Sequence, residues 1–452
     1  MKILSGRIIP ILSSVSLLAA GTAMAQEYFR DFGSSRSSGG IGRLGPGSEV
    51  FLGNSPNGIE PLTDADITQD EKNYNIRIGK LDLSLAAGVG FEFNDNITLS
   101  EFNRQSDIIF RPEFDIEGAI RFSETNRLRL DVGLSYAKYF NHSQYDSKSL
   151  LVSPTSAITW TAEAGAFKFT VRERFSYQED PFDQPTLNVA NYRRYENQAG
   201  IQVDWDANQY TKISVGYDRY DLWAQDPAYS AIDHAINTVF LRPSHQINPS
   251  FTVGLNASLS SFEYRQRSHS DGHSLLVGPF VKWKVNDFTD VYAEVGFQQS
   301  SFDSSTTFSI VDRLTGLVTG TGQDTEDGSS WYAKLEIVNR PTEFLRQKLS
   351  FSKTAELGYQ SNFYDLYHVE YSIEWAIREK TTIRPIFFYE YYQTSGPESE
   401  DAHRFGAALG IYHVVTDNFT VGLDYRYLVK DSNRNGADYY QNLGMVSLYY
   451  KF

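Results

Sequence analysis

Residues 110–122 read Phe-Arg-Pro-Glu-Phe-Asp-Ile-Glu-Gly-Ala-Ile-Arg-Phe. In an extended chain, successive side chains point to opposite faces. Phe110, Phe114, Ile116, Ile120 and Phe122 then share one face, while Arg111, Glu113, Asp115, Glu117 and Arg121 share the other. Five charges on one side of one strand need water or each other. A transmembrane strand between lipid and a wet interior meets that need, and a soluble sandwich would show the same alternation.

The rest of the chain separates the two. From Lys80 onward, segments of alternating apolar and polar residues recur, as in 251–259, 291–298 and 421–426. Short polar turns fall near Glu124, Ala164, Ala207, Asn248, Asn286, Pro341, Glu379 and Asp417, and a longer polar loop lies between each pair. Strands longer than the usual five or six residues, joined by alternating short and long connections, point to a membrane wall. The chain also ends in a strand whose Leu448, Tyr450 and Phe452 share a face, the kind of ending read by the barrel-assembly machinery. The fold expected is all-β, a transmembrane antiparallel up-and-down β-barrel of about 18 strands (16–18) over residues 79–452. The strands centre near 86, 114, 133, 156, 173, 200, 216, 240, 257, 279, 296, 334, 353, 370, 387, 408, 425 and 446. Patterning is weakest over Ser149–Trp160 and Arg346–Tyr359.

Upstream, Lys2 and Arg7, the apolar run Ile8–Leu18 and Ala23-Met24-Ala25 have the form of a cleavable signal peptide over 1–25. Residues 26–78, rich in Gly, Ser, Pro and Asp, are expected to be a flexible periplasmic segment, with plugging of the pore as an alternative role. Removing Lys2 and Arg7 leaves 39 basic against 56 acidic residues, a net charge near −17. That excludes a basic nucleic-acid surface. There is no cysteine, so neither disulfides nor a lipoprotein anchor holds the chain. Aromatics are 14% of the sequence although mean hydropathy is negative, as strands with one lipid-facing side require.

Alternation gives the candidate lumen-lining residues. They are Arg111, Glu113, Asp115 and Glu117; Lys168, Arg172 and Arg174; Gln202 and Asp204; Glu370 and Glu374; and Asp424 and Arg426. Both signs occur, predicting a mixed lumen; rings of charge setting a transverse field are the sharper alternative. Glu173 falls on the apolar face of its strand, so either it lies near the outer interface or the strand is misplaced. Tyr389-Glu390-Tyr391-Tyr392 and Tyr449-Tyr450 suit an interfacial girdle, and Tyr220, Trp223 and Tyr229 could instead stack sugar rings. Asp431–Asp438 has the spacing of a calcium loop, but its twelfth position is Asn442 and Asn-Gly is an ordinary turn. No enzyme signature is found; His269, Ser270, Asp271 and His273 share one loop, which loop polarity explains. No catalytic residue, metal or cofactor is expected.

The stretch Gly90-Phe91-Glu92-Phe93-Asn94-Asp95-Asn96-Ile97, followed by Ser106-Asp107 and Arg111-Pro112, resembles the first hairpin of a family of β-barrel porins encoded beside bacterial exopolysaccharide genes. The resemblance spans about residues 80–452. It implies a passive channel in the outer membrane of a Gram-negative cell, tied to polysaccharide export and its periplasmic components. The residues themselves predict a porin passing small hydrophilic solutes or oligosaccharides. An exopolysaccharide conduit and a non-conducting structural or adhesive barrel are the alternatives. Expected partners are outer-membrane lipid and the assembly machinery, with no nucleic acid.

Overall fold

A computed structural model describes residues 74–452 except 75, 155, 185–186, 267–268, 312–317, 359–360, 379 and 398. The expected signal peptide and nearly all of segment 26–78 lie outside the described residues.

Eighteen strands form the wall: β1 (Leu81–Asn94), β2 (Asp107–Ser123), β3 (Asn126–Ser135), β4 (Ala157–Ala164), β5 (Phe167–Gln184), β6 (Leu187–Asn208), β7 (Thr211–Ala224), β8 (His234–Asn248), β9 (Phe251–Tyr264), β10 (Gly272–Asn286), β11 (Thr289–Phe302), β12 (Gly328–Thr342), β13 (Leu345–Leu357), β14 (Phe363–Arg378), β15 (Thr381–Thr394), β16 (Asp401–Thr416), β17 (Phe419–Ser432) and β18 (Tyr439–Lys451). Each pairs antiparallel with its sequence neighbours, and β18 returns to β1 from Ala86↔Lys451 to Asn94↔Leu443. The sheet is therefore closed, which removes the edges an open sheet would expose. Of the eighteen expected centres, only Ser156 falls outside its strand, one residue before β4.

Eight connections have two residues each, at 124–125, 165–166, 209–210, 249–250, 287–288, 343–344, 379–380 and 417–418. Several are built the same way. Asn208, Asn248 and Asn286 each accept, through the side-chain oxygen, the N–H two residues on, at 2.9 Å. The carboxamide replaces a backbone turn bond, an Asx turn. The opposite, loop end carries connections such as 95–106, 136–156, 225–233 and 303–327, the last with its own hairpin (Thr306–Val311 with Val318–Asp324).

Before β1, Ile76–Ile78 pairs with Leu81–Leu83 through Gly79 (φ 63°), occupying the edge that β18 does not reach. Tyr74, just upstream, sits among Asp82, Glu117, Arg129 and Asp131.

Glu294 shows which face is concave. Asn256 of β9 (2.8 Å), Tyr332 of β12 (2.7 Å) and Arg242 of β8 (3.5 Å) all meet its carboxylate on β11. Groups from strands that are not neighbours converge only on the inside of a curved wall. Phe91, Val171, Val239, Leu275, Val295, Leu423 and Val446 lie on the opposite, convex face and are well exposed.

The wall is thickened from inside by aromatic rings lying over glycines. A Cβ at Gly216 would overlap the Phe240 ring, and one at Gly254 the Phe280 ring. Only hydrogen at these positions lets the rings lie flat on the neighbouring strand.

One ladder stops early. Between β12 and β13, the last pair towards the loop end is Ala333↔Lys353, although β12 continues to Gly328 and β13 to Leu357.

Candidate functional site: the inward face

Strand parity sends a large set of polar side chains to the concave side, where they bond to one another. On β2, Arg111 reaches Glu92 of β1 at 2.5 Å. Asp115 is buried on the same face, and Glu113 and Glu117 share its parity. On β5, Arg172 and Arg174 are buried, and Arg172 lies 3.9 Å from Asp218 of β7. Lys168 is half-buried opposite Asp204. Asp204 gathers the Gln202 carboxamide at 3.0 Å, the Ser214 hydroxyl and, at 4.0 Å, Lys212.

Across the barrel, Glu374 receives Arg384 at 2.7 Å, and Arg384 lies over the Tyr412 ring. Tyr412 in turn donates to Asp424. Arg426 donates to Gln441 at 2.8 Å, and Glu370 is buried nearby on the β14 face that also holds Glu374. The residues expected on the inside are thus all on the concave parity, distributed over several networks.

Other charged residues complete these networks without having been singled out beforehand. Glu390, fully buried, receives both the Nε and an Nη of Arg404, at 2.7 and 2.6 Å. Lys430 and Glu400, also buried, pair at 3.0 Å. Parity alone would have found Glu390, which instead reads as part of a Tyr-rich cluster. In that cluster only Tyr389 and Tyr391 face outward, where they sit against the His403 ring; Tyr392 turns inward beneath Arg404 and Lys430. Likewise Tyr449 packs over Gly88 on the inside, and Tyr450 faces out. The girdle expected from contiguous aromatics is therefore built from alternate ones.

Glu173 does face outward, on a correctly placed strand. It accepts from Asn197 at 3.1 Å, at the level where neighbouring strands turn Arg219 and Asn237 outward, the loop-side edge of the apolar band.

The remaining motifs are held by local hydrogen bonds and packing. Ser432 N–H donates to Asp438 at 2.8 Å across the turn at Gly436 (φ 77°). No cluster of three His, Asp or Glu positioned for a metal occurs among the described residues. Ser270 Oγ donates to the Asp271 carbonyl at 2.9 Å and accepts the Ser304 N–H at 2.8 Å, tying two loops together. Tyr220 is buried in an apolar cluster, and Arg265 lies over the Trp223 ring. Of the stretch that resembles the family hairpin, Asp95 accepts both the backbone and side-chain N–H of Asn442 at 2.7 Å, and Asn96 donates to the Tyr440 carbonyl at 2.9 Å. The Asp-Asn pair clasps the first hairpin to the last strand. At this end, burial pushes the Asp438 carboxyl up, with Asp431 and Glu400 adding to it; Glu101 is raised by its own partial burial and by Asp438.

A closed antiparallel barrel with an apolar convex face and a charged concave one is a transmembrane β-barrel. No family model matches the chain, and neither does any curated protein. Solved structures similar to it include a BenF-like porin from Pseudomonas fluorescens, at 10% identity and TM-score 0.46, covering 83% of this chain and 100% of that one. OccK2 (OpdF) of Pseudomonas aeruginosa, in complex with glucuronate, is 11% identical with TM-score 0.45 over 82% and 98% of the two chains. OccAB3 of Acinetobacter baumannii is 13% identical with TM-score 0.44 over 83% and 100%.

Proposed function

We propose that this protein is an outer-membrane channel of a Gram-negative cell, passing small hydrophilic solutes, oligosaccharides among them, by diffusion. The observation that carries the reading is the contrast between the two faces of one closed wall. The convex face would be at home only in lipid, while the concave face carries charge on almost every strand. An eighteen-strand perimeter encloses more width than side chains fill, so a charged interior has room for water. The networks pair opposite signs, which favours uncharged or weakly charged solutes over one class of ion. By the rule that short turns face the periplasm, the loop end opens to the outside.

A second reading has its own observation. The end of loop 303–327 is anchored to two neighbouring loops: Asp324 is fully buried and accepts from Asn362 N–H at 2.7 Å and Ser395 Oγ at 2.5 Å. Loops anchored to one another in this way suit a non-conducting barrel that works through them. Planar-bilayer recording of the refolded full-length protein decides between them. Steady conductance steps, reduced by added oligosaccharide, support the channel; block by long acidic polysaccharide alone would move the reading towards exopolysaccharide export. Silence from a folded barrel leaves the structural role.

A further inference from the structure

Glu173 and Arg219 stand in one row of the convex face. The ladders set both opposite Ala199 of β6, Glu173 from β5 and Arg219 from β7, so one small side chain separates two opposite charges. Two strand spacings put them about 10 Å apart. The exposed Glu173 carboxylate accepts from Asn197 and meets no cation among the described residues. Arg219 donates to Asp221 at 2.7 and 2.9 Å and to Asn237 at 3.1 Å. Those bonds leave guanidinium N–H groups over, and the side chain is still 43% exposed.

The apolar band is low on this side of the barrel. Between the short turn and Glu173, β5 turns out only Phe167, Phe169 and Val171. Between the turn and Arg219, β7 turns out Thr211, Ile213, Val215 and Tyr217. On β17, by contrast, Phe419, Val421, Leu423, Tyr425, Tyr427 and Val429 follow one another outward. With the tilt of barrel strands, Glu173 stands about 15 Å above its turn and Arg219 about 20 Å, within the height of an apolar band about 25 Å tall. Phe175, beyond Glu173, turns out again and is exposed beside Tyr195. A carboxylate at that depth is unfavourable against lipid unless a cation reaches it. Lipid tails offer none; a copy of the same wall does.

We propose that the β5–β7 face seats a second copy of this chain, the two barrels meeting about a two-fold axis that passes beside Ala199. A two-fold contact sets one patch against itself. With its axis along the membrane normal, it exchanges left and right on the wall and preserves depth. Glu173 on one side of Ala199 then faces the partner subunit's Arg219, and Arg219 faces the partner subunit's Glu173. The two differ in depth by about 5 Å, a gap within the reach of an arginine side chain. Ala199, on the axis, lets the walls approach closely, as small residues do at membrane interfaces. The contact holds whether or not the barrel conducts.

The natural chain has no cysteine, so Ala199→Cys introduces a single thiol beside the axis. In full-length protein in lipid vesicles, mild oxidation is expected to convert most of it to a disulfide-linked dimer. Leu423→Cys, exposed on the convex face of β17 and well round the wall from β6, should give little. On the Ala199→Cys background, Glu173→Arg sets cation against cation and is expected to lose most of the dimer. Adding Arg219→Glu to it restores the opposite signs and the dimer. The compact band on unheated SDS gels checks that each variant is folded. Glu173 is exposed, so its replacement decides alone if Arg219→Glu, which also leaves Asp221, fails to fold. Equal dimer from both thiols, no dimer from Ala199→Cys, or a dimer undiminished by Glu173→Arg overturns the interface. A folded double exchange that stays monomeric overturns the pairing of Glu173 with Arg219.

Discussion

Glu390 and Arg404 show what a single residue contributes to this wall. Both are buried, and the carboxylate holds two guanidinium N–H groups. Removing one partner strands the other charge, which costs about 3–5 kcal/mol for a buried pair. Arg404→Met is expected to destabilise the barrel by that order in urea unfolding from lipid, and adding Glu390→Gln to recover most of the loss. No recovery would mean that the arginine acts by volume rather than charge. Gly216→Ala tests packing in the same way: the methyl collides with the Phe240 ring, and overpacking of this kind costs about 1–3 kcal/mol. At this scale the sequence is read well wherever parity applies. Arg111, Asp115, Arg172, Glu374 and Asp424 all reach the concave side because a strand has a fixed period. Which partner each takes depends on register between strands, and that was not readable. Arg404 and Glu390 lie close because β15 and β16 pair at exactly those positions, as their ladder shows.

At the scale of elements, turns were legible and irregular strands were not. Every short connection lies within a few residues of its expected place, and at three of them an Asn just before the turn has a local bonding role. The stretch Arg346–Tyr359 is weakly patterned for a physical reason: the end of β13 is covered on both sides, so its residues need not alternate strongly between lipid and water. Ser149–Trp160 is weak because, among its described residues, only Leu151–Val152 and those from Ala157 are strand. The loops at the mouth carry a pH dependence. Burial raises Asp438, so the fold of its loop favours the protonated form. Stability from that group is complete below the ordinary carboxylate range and is lost as pH rises through the raised value. Limited proteolysis of the outer loops should therefore be slower near pH 4 than near pH 7. Asp438→Asn keeps the oxygen that accepts from Ser432 and should abolish the difference. Solvent screening holds the effect below about 1 kcal/mol.

For the whole molecule, closure is the decisive property. The inward charges are tolerable only because the wall meets itself, and β18 completes it by pairing with β1 on one side and β17 on the other. Deleting Tyr450–Phe452 removes the Phe452 N–H bond to Leu85 and the pairing opposite Ala87. The truncated chain is expected to lose most of the compact, heat-modifiable band on unheated SDS gels. An unchanged band would show that the last strand's end is dispensable for both closure and assembly. Eighteen strands and their order could be counted from the sequence; the early end of the β12–β13 ladder at Ala333↔Lys353 could not, because register between strands is not written in either one alone.

The β1–β18 ladder also sets an order in time. The two strands that close the wall are the first and the last of the eighteen, so the ring cannot be sealed until β18 has been made. Local hairpins can form early, since each costs only a short loop, whereas the sealing contact carries the largest chain-closure entropy of any in the molecule. Until then, a curled sheet with two open margins must be kept from meeting another copy. The eighteenth strand, made after the other seventeen, is the one that ends that exposure.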